Sequence, residues 1–355
     1  MNQITDAMDM IDHLHQMAFC VRDCIIVKAN AAASNRMIET GMQIEPLLKT
    51  GAEEYRDFSD GCLYLTLNIC GQELGFSVNH KNGFDLFQLE KDESDVFRAL
   101  ALAAREMREP LSAIMIASDR LFSKKAGDSD TNMHIGHMNR ATMQLLRLIS
   151  NLSDAGKYAD AESVPKQIEN VPVLLDEIFA KAAAAAEHIG KTVSYNGVSE
   201  NILMAVNAEL LERAVLHIID NALIFTPAGG IIQASLQRRG SKLLLSIQDN
   251  GCGIDENIRA NLFSRYTREP GLEESRTGIG LGLVFARSAA RHHGGTVLVD
   301  QPEACSTRIT LMLPIQSGKV SEVRTKFLTV DYAAEHDHIM MEFSNIMPPD
   351  LYVPQ

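Results

Sequence analysis

The sequence predicts an α+β protein of several domains, because its pattern changes three times along the chain. Up to about residue 90, short β-rich segments alternate with turn signals. Residues 91–158 carry apolar residues at spacings of three and four, which is typical of amphipathic helices. Residues 159–316 mix helix and strand patterns, and residues 317–355 form a C-terminal extension to which the sequence assigns no role. A chain of 355 residues, 46% of them hydrophobic, is long enough for two or three separate cores.

The composition argues against several classes of function. A formal net charge of -13 would repel nucleic acid and anionic lipid, and no basic block offsets it. No apolar run approaches the roughly 18 residues that a membrane-spanning helix needs, and the acidic start lacks the pattern of a signal peptide. We therefore expect a cytoplasmic protein with no nucleic-acid partner and no membrane insertion. The cysteines form neither a CxxC motif nor a Cys/His cluster, which favours reduced, buried thiols: Cys20, Cys24, Cys62, Cys70, Cys252 and Cys305.

Residues 1–90 predict a hairpin, then a helix, then an antiparallel meander. The hairpin turns at Arg22-Asp23, and Asn30 is a suitable helix cap. Further on, LYLTLNI alternates apolar and polar residues, and Asn82-Gly83 supplies a hairpin turn before FDLFQLE. This order, with Asn30-Ala31-Ala32, resembles a PAS sensor domain; the alternative is an unrelated small α+β domain.

Residues 91–158 predict two long amphipathic helices joined by a polar break. Such a hairpin has too little core of its own, so pairing with a second copy into a four-helix bundle would cover both apolar stripes. We therefore expect a homodimer through this helical hairpin. The predicted stripe on the second helix consists of Met143, Leu145, Leu146, Leu148, Ile149 and Leu152.

Residues 159–316 carry the strongest signals for function. In chain order they contain NAELLERAVLHIIDNALIFTPAGG, DNGCGI, LFSRYTR, TGIGLGL, HHGGTVLV and STRITLMLP. In this order and spacing the segments resemble the GHKL-type ATP-binding domain, an α/β sandwich shared by histidine kinases, gyrase, Hsp90 and MutL. The histidine-kinase version is the most similar, and it implies ATP and Mg²⁺ as cofactors.

The residue types suggest how this domain would hold the nucleotide. HIIDNALIF predicts a helix in which His217 and Asn221 share one face, and the amide oxygen of Asn221 is suited to Mg²⁺ that bridges phosphates. Asp249 follows a predicted strand and can accept a hydrogen bond from an adenine amino group, as the resemblance also implies. Gly251 and Gly253 would let the backbone pass close to the base.

A glycine-rich helix start and an arginine-bearing loop complete the predicted nucleotide site. Gly278, Gly280 and Gly282 open a helix whose free amide groups would face the triphosphate. The preceding loop resembles the family's ATP lid, and its arginines could offset phosphate charge: Arg265, Arg268 and Arg276. Taken singly, each of these features also fits a buried amide, an ordinary turn or a solvated face. Taken together, they favour nucleotide binding.

Two positions in this domain depart from the family pattern. Ile224 stands where many kinases place a lysine or arginine near the phosphates, so weaker or altered ATP binding is expected. A Gly-Thr pair of the family appears as Ser306-Thr307, which leaves Thr307 as the matching site residue.

The largest departure lies in the helical hairpin. The stretch REMREPL resembles the family segment H-E-L-R-T-P-L and aligns Arg105 with the phosphoaccepting histidine, while Glu106 matches the family's acid/base position. Guanidinium remains protonated and has no lone pair with which to attack ATP. Glu109 replaces a residue that positions water for dephosphorylation of the response regulator, and its carboxylate would repel an acyl phosphate.

The sequence therefore predicts a histidine-kinase-like signalling protein that binds Mg-ATP and acts as a pseudokinase or regulatory module of a two-component pathway. A response regulator or a partner kinase would be its partner. The alternative is an active histidine kinase that uses another histidine, such as His134 or His137, and phosphorylates a response regulator. Phosphorylation of a partner's serine, as in anti-sigma kinases, has little support because those proteins lack this hairpin.

Overall fold

We describe the fold from a computed structural model. The structure describes residues 10–81, 83–90, 107, 111, 114–116, 118, 129–157, 165–254, 262, 282–303, 305–316 and 337–353. No helix of these residues is both long and apolar enough to cross a membrane.

The N-terminal residues fold into a five-stranded antiparallel sheet in the order β2-β1-β5-β4-β3. Its first turn uses Asp23 and Cys24 at positive φ, and the side chain of Asn30 caps the next helix by accepting from Ala33 N. The predicted order of hairpin, helix and meander is thus confirmed, whereas the PAS assignment stays a prediction. The elements are β1 (Ala18–Arg22), β2 (Ile25–Ala29), α1 (Ala31–Ser34), α2 (Ala52–Arg56), β3 (Cys62–Ile69), β4 (Gln72–Lys81) and β5 (Phe84–Leu89), with 3-10 turns at Met10–His13 and Glu45–Leu47.

Helix α3 (Ser129–Lys157) is the second helix of the predicted hairpin. The described residues of the first predicted helix, from 107 to 118, are also helical. Met143, Leu146 and Ile149 of the predicted stripe are buried, but Leu145 is 48% exposed in the single chain. A second copy would cover Leu145 in the predicted pairing, so this part of the stripe stays a prediction.

The third part of the chain is a two-layer α/β sandwich. Its strands run in the order β11-β12-β10-β9-β7, and three helices supply apolar side chains to one core with them. Asn207 caps the central helix by accepting from Leu210 N. The elements are β6 (Gln167–Asn170), α4 (Val171–Glu187), β7 (Thr192–Asn196), β8 (Leu203–Val206), α5 (Ala208–Phe225), β9 (Ile231–Arg239), β10 (Lys242–Asp249), α6 (Gly282–His293), β11 (Thr296–Asp300) and β12 (Thr307–Pro314).

The N-terminal sheet and the sandwich sheet are continuous. Strand β3 pairs antiparallel with β11 and so joins ten strands into one sheet, while β6 and β8 of the described residues form a separate two-stranded sheet. Both faces of β3 are buried. Tyr64 lies in the sandwich core, with Arg287 of α6 over its ring, although the sequence alternation predicts only one buried face.

The described C-terminal residues return to the hairpin and the sandwich. They form α7 (His338–Glu342) and a 3-10 turn at Pro349–Tyr352. Ile339, Phe343 and Tyr352 are buried in the same core cluster as residues of α3 and α5.

Candidate nucleotide site

The second half of α5, the start of α6 and the end of β10 define the candidate site. Asn221 lies near the C-terminal end of α5, and Gly282 is the first residue of α6. A Cβ atom at residue 282 would lie 2.5 Å from Asn221 Nδ2, so the amide packs directly on the glycine backbone. The structure therefore brings the predicted metal ligand to the N-terminus of the predicted phosphate-binding helix.

Asp249 ends the central strand β10 with its side chain buried. It lies opposite Thr307 on β12, and its Oδ1 accepts a hydrogen bond of 2.8 Å from Gly251 N. Burial raises the pKa of Asp249, while hydrogen bonds from backbone amides of Gly251 and Thr307 act in the opposite direction. A buried carboxylate held in this way suits a neutral hydrogen-bond donor such as an aromatic amine better than a solvated cation.

The glycines after Asp249 are required by close packing and backbone conformation. A Cβ atom at Gly251 would lie 2.5 Å from Phe225 O, and Gly253 has a φ of +74°. Gly251 thus holds the β10 loop directly against the end of α5. This contact brings Asp249 and Asn221 to the same end of the sandwich.

The other residues named for the site differ in their contacts and exposure. Ser306 Oγ exchanges hydrogen bonds with the backbone of Glu303, at 3.1 and 3.2 Å, and so supports the turn before β12. Thr307 and Ile224 are partly exposed. Arg105, Glu106, Arg265, Arg268, Gly278 and Gly280 lie outside the described residues.

Behind Asn221, the helix carries a charged network that the sequence analysis missed. Asp220 is 2% exposed and accepts a hydrogen bond from Arg147 Nη2 of helix α3. Arg147 Nε donates to Glu342 Oε2 at 3.0 Å, and Glu342 is fully buried. One signal was present in the sequence, since an aspartate in the largely apolar stretch AVLHIIDNALIF needs a buried partner.

His217 belongs to this interior network. Its ring stacks on Phe285 at 4.5 Å, and Nδ1 lies 3.6 Å from Glu342 Oε2. Burial lowers the pKa of His217 to about 3, so the ring is neutral at physiological pH. His217 therefore packs α5 against α6, while Asn221, one turn further along, is only partly buried and lies at the helix start of α6.

The described residues fit a magnesium nucleotide. Asn221 offers an amide oxygen, a ligand type that Mg²⁺ accepts, beside a helix N-terminus that favours anions. A side chain at residue 282 would collide with Asn221, and one at residue 251 would collide with Phe225 O and Asp249, so glycine is required at both positions.

Comparison with known proteins agrees with this geometry. Residues 206–317 match the family described as histidine kinase-, DNA gyrase B-, and HSP90-like ATPase. The chain is 27% identical over 213 residues to the sensor protein KdpD of Clostridium acetobutylicum, covering 59% of this chain and 23% of KdpD. It is 25% identical over 235 residues to the sensor-like histidine kinase SenX3 of Mycobacterium tuberculosis, covering 63% of this chain and 56% of SenX3.

A solved structure shows the same fold. Full-length ShkA in complex with AMPPNP matches with a TM-score of 0.50 and 19% identity, over 62% of this chain and 46% of ShkA. The chain spans only part of the length of each of these proteins. Residues 206–317 thus form a histidine kinase-, DNA gyrase B-, and HSP90-like ATPase domain, and the chain is similar to sensor histidine kinases.

Proposed function

We propose that this protein binds Mg-ATP and acts as a nucleotide-responsive regulatory module of a two-component pathway, without phosphorylating itself at the usual position. The observation that carries the proposal is the packing of Asn221 on Gly282, at the same end of the sandwich as the buried carboxylate of Asp249. This arrangement separates a site for an aromatic amine from a site for phosphates.

Each described residue has a distinct task in this proposal. Asp249 accepts a hydrogen bond from the adenine amino group, and Gly251 keeps the base close to the backbone. Asn221 holds the metal ion, and the amides at Gly282 face the phosphates. When bound, Mg²⁺ supplies positive charge that neutralises phosphate oxygens. The lid arginines Arg265 and Arg268, with Gly278, Gly280 and Thr307, complete the proposed binding set.

The chemical argument against ordinary autophosphorylation comes from Arg105. A guanidinium group in place of imidazole has no nucleophilic nitrogen at physiological pH. Glu106 then has no histidine to activate, so its family role as acid or base is lost. Regulation through binding remains, with ATP shifting the balance between arrangements of the hairpin and the sandwich.

The proposed partners are a second copy of the chain and a response regulator or kinase. Apolar side chains remain exposed on the described hairpin residues of a single chain: Met107, Ile114, Ile116, Met133, Met138 and Leu145. Covering them requires another helical surface, and a second hairpin provides one of matching chemistry. The N-terminal sheet is proposed to be a PAS-like sensor.

A second function is favoured by one observation. His134 and His137 are exposed on helix α3, so a phosphoryl group could reach either ring. In this alternative the protein is an active histidine kinase with a relocated acceptor and passes the group to a response regulator.

Nucleotide binding is tested by titrating the purified full chain with AMPPNP, with Mg²⁺ or with EDTA. Asp249→Asn is expected to weaken binding by roughly tenfold to a hundredfold, the value of a lost hydrogen bond to a charged group. Asn221→Ala is expected to weaken binding in Mg²⁺ and to have little effect in EDTA. The matched controls Asp176→Asn and Asn196→Ala alter exposed residues and should bind like the wild type. A wild-type chain that does not bind in Mg²⁺ would refute the proposal.

The two functions are separated by incubation with γ-labelled ATP and Mg²⁺. We expect no acid-labile, base-stable label on the wild-type chain, because Arg105 cannot accept the phosphoryl group. Label that disappears in His134→Ala or His137→Ala, but persists in the exposed control His188→Ala, would establish the kinase alternative.

A further inference from the structure

The C-terminal segment, residues 337–353, lies along helix α3. Arg140 donates from Nε to Ser344 O and from Nη2 to Asn345 O, both at 2.8 Å, and Asn139 Nδ2 donates to Tyr352 O at 3.0 Å. These donors reach main-chain carbonyl groups, so the contact fixes the path of the segment. A Cβ atom at Gly136 would lie 2.4 Å from Pro349 O, which shows how closely the helix and the segment approach.

Burial of apolar side chains anchors the same segment. Met341 and Phe343 are fully buried, and they share a core cluster with Leu146 of α3 and with Leu216 of α5. Tyr352 OH donates to Met340 O at 2.7 Å and so closes the segment on itself. The segment is therefore part of the hydrophobic core and packs between the hairpin helix α3 and the sandwich.

A carboxylate of the segment lies at the centre of the charged network. Glu342 Oε2 accepts from Arg147 of α3, and Glu342 Oε1 lies 3.7 Å from Arg213 Nη2 of α5. Arg213 Nη2 also donates to Asn151 Oδ1 of α3 at 2.7 Å. Two arginines on two helices thus share a buried anion that comes from a third element, more than one hundred residues further along the chain.

This network ends beside the nucleotide site. Arg147 joins Glu342 to Asp220, and Asp220 is the residue directly before Asn221. The position of Asn221 therefore depends on a part of α5 that Arg147 and Glu342 hold. Loss of Glu342 would leave Arg147 and Arg213 with excess positive charge in the interior, which favours rearrangement of both helices.

We propose that the C-terminal segment is an intramolecular clamp that couples the hairpin helix α3 to the nucleotide site through Glu342, Arg147 and Asp220. A closed clamp holds Asn221 in position, and release of the clamp weakens binding of the magnesium nucleotide. By reciprocity, bound nucleotide tightens the clamp. This inference rests on the proposed binding of Mg-ATP. Glu342 is a positioning residue in it.

The test compares Mg-AMPPNP affinity of the full chain with that of Glu342→Gln. We expect at least about fivefold weaker binding in Mg²⁺, the lower range of typical coupling between sites, and a smaller difference in EDTA, because the effect passes through Asn221. Asp350→Asn removes an exposed carboxylate of the same segment and is the matched control, with wild-type affinity expected. Arg140→Ala loosens the segment without leaving a buried charge and replaces Glu342→Gln if that variant does not fold.

Hydrogen exchange provides a second measurement on the same samples. Saturating Mg-AMPPNP should slow exchange of residues 337–353 in the wild type and not in Glu342→Gln. A variant whose segment exchanges faster while its nucleotide affinity equals that of the wild type would overturn the clamp. A wild-type chain that fails to bind nucleotide would instead refute the proposed function, so the two failures are distinguishable.

Discussion

The sandwich is joined to the rest of the chain by two seams of different chemistry. At the N-terminal seam, β3 pairs with β11 through main-chain groups over Cys62, Leu63 and Tyr64, and ion pairs of Lys242 and Arg287 with two glutamates accompany this pairing. At the C-terminal seam, side-chain charges of Arg147, Asp220 and Glu342 meet in the interior. Main-chain pairing depends on backbone conformation and tolerates many side chains, whereas a buried network depends on every charged member.

The largest effect is expected at the C-terminal seam. Arg147→Met removes the cation that Asp220 and Glu342 share, and it leaves two buried carboxylates without their main partner. We expect the free energy of unfolding to fall by about 3–5 kcal/mol, measured by urea denaturation.

An exposed arginine provides the control for this variant. Arg238→Met breaks an ion pair with Glu200 at 3.1 Å in which both side chains are 47% exposed. This change should have little effect, because water replaces the partner. A loss in Arg147→Met no larger than in Arg238→Met would contradict the role of the buried network.

Within the sandwich, outside both seams, hydrogen bonds hold a buried histidine. His293 Nε2 accepts from Asn207 N at 3.0 Å, and Nδ1 donates to Ala289 O at 2.7 Å. Burial lowers the pKa of His293 from 6.5 to about 4. The unfolded chain therefore takes up a proton near pH 6.5, while the folded chain resists it until about pH 4.

The sign of the pH effect follows from this lowered pKa. The contribution of neutral His293 to the free energy of unfolding is complete above pH 6.5. It is lost as the pH falls towards 4, and the loss amounts to at most about 3 kcal/mol. His293→Gln retains a donor and an acceptor but does not titrate, so its unfolding free energy should fall less on acidification. His188→Gln, at an exposed position, is the control for the loss of a histidine ring and should have the wild-type unfolding free energy at neutral pH. Equal slopes in His293→Gln and the wild type would contradict this account.

At the N-terminal seam, a backbone change should matter more than a change at an exposed charge. Gly61 has a φ of +94°, and a Cβ atom there would lie 2.4 Å from Val299 O of β11. Gly61→Ala is expected to cost about 2 kcal/mol more than Gly71→Ala, which has a φ of +80° with open space around it. Hydrogen exchange of β3 and β11 should rise in Gly61→Ala alone. Equal losses in both variants would mean that the seam is not closely packed at this point.

Local patterns were sufficient to predict the strands of the N-terminal sheet, because turn residues and alternation act within a few positions. The second buried face of β3 could not be predicted in this way. Tyr64 is buried because the sandwich packs on it, and Gly75 accommodates its ring from the neighbouring strand. The alternation of LYLTLNI carries no information about that partner.

The candidate site also contains residues that local motifs predict and residues that they do not predict. Asn221, Asp249 and Gly282 were predicted because each lies in a short motif whose residue types carry their own chemistry. Arg147 and Glu342 were not predicted, since they are separated by 195 residues and no local spacing connects them. Only the folded chain brings the carboxylate of Glu342 to Arg147, which also binds Asp220, the residue before Asn221.

The smallest change in unfolding free energy is expected for an exposed ion pair of the N-terminal seam, which can be compared with a buried ion pair of the same seam. Glu53 accepts a hydrogen bond of 2.8 Å from Lys242 Nζ, but its side chain is 76% exposed. Glu90 forms a contact of similar length, 3.0 Å, with Arg287, and both of those side chains are buried. Glu53→Gln should leave the unfolding free energy unchanged in urea denaturation, whereas Glu90→Gln should lower it, because burial and not contact distance determines what a charge contributes. An equal loss of unfolding free energy in the two variants would show that water is excluded at Glu53. The exposed and buried ion pairs of the seam would then not differ.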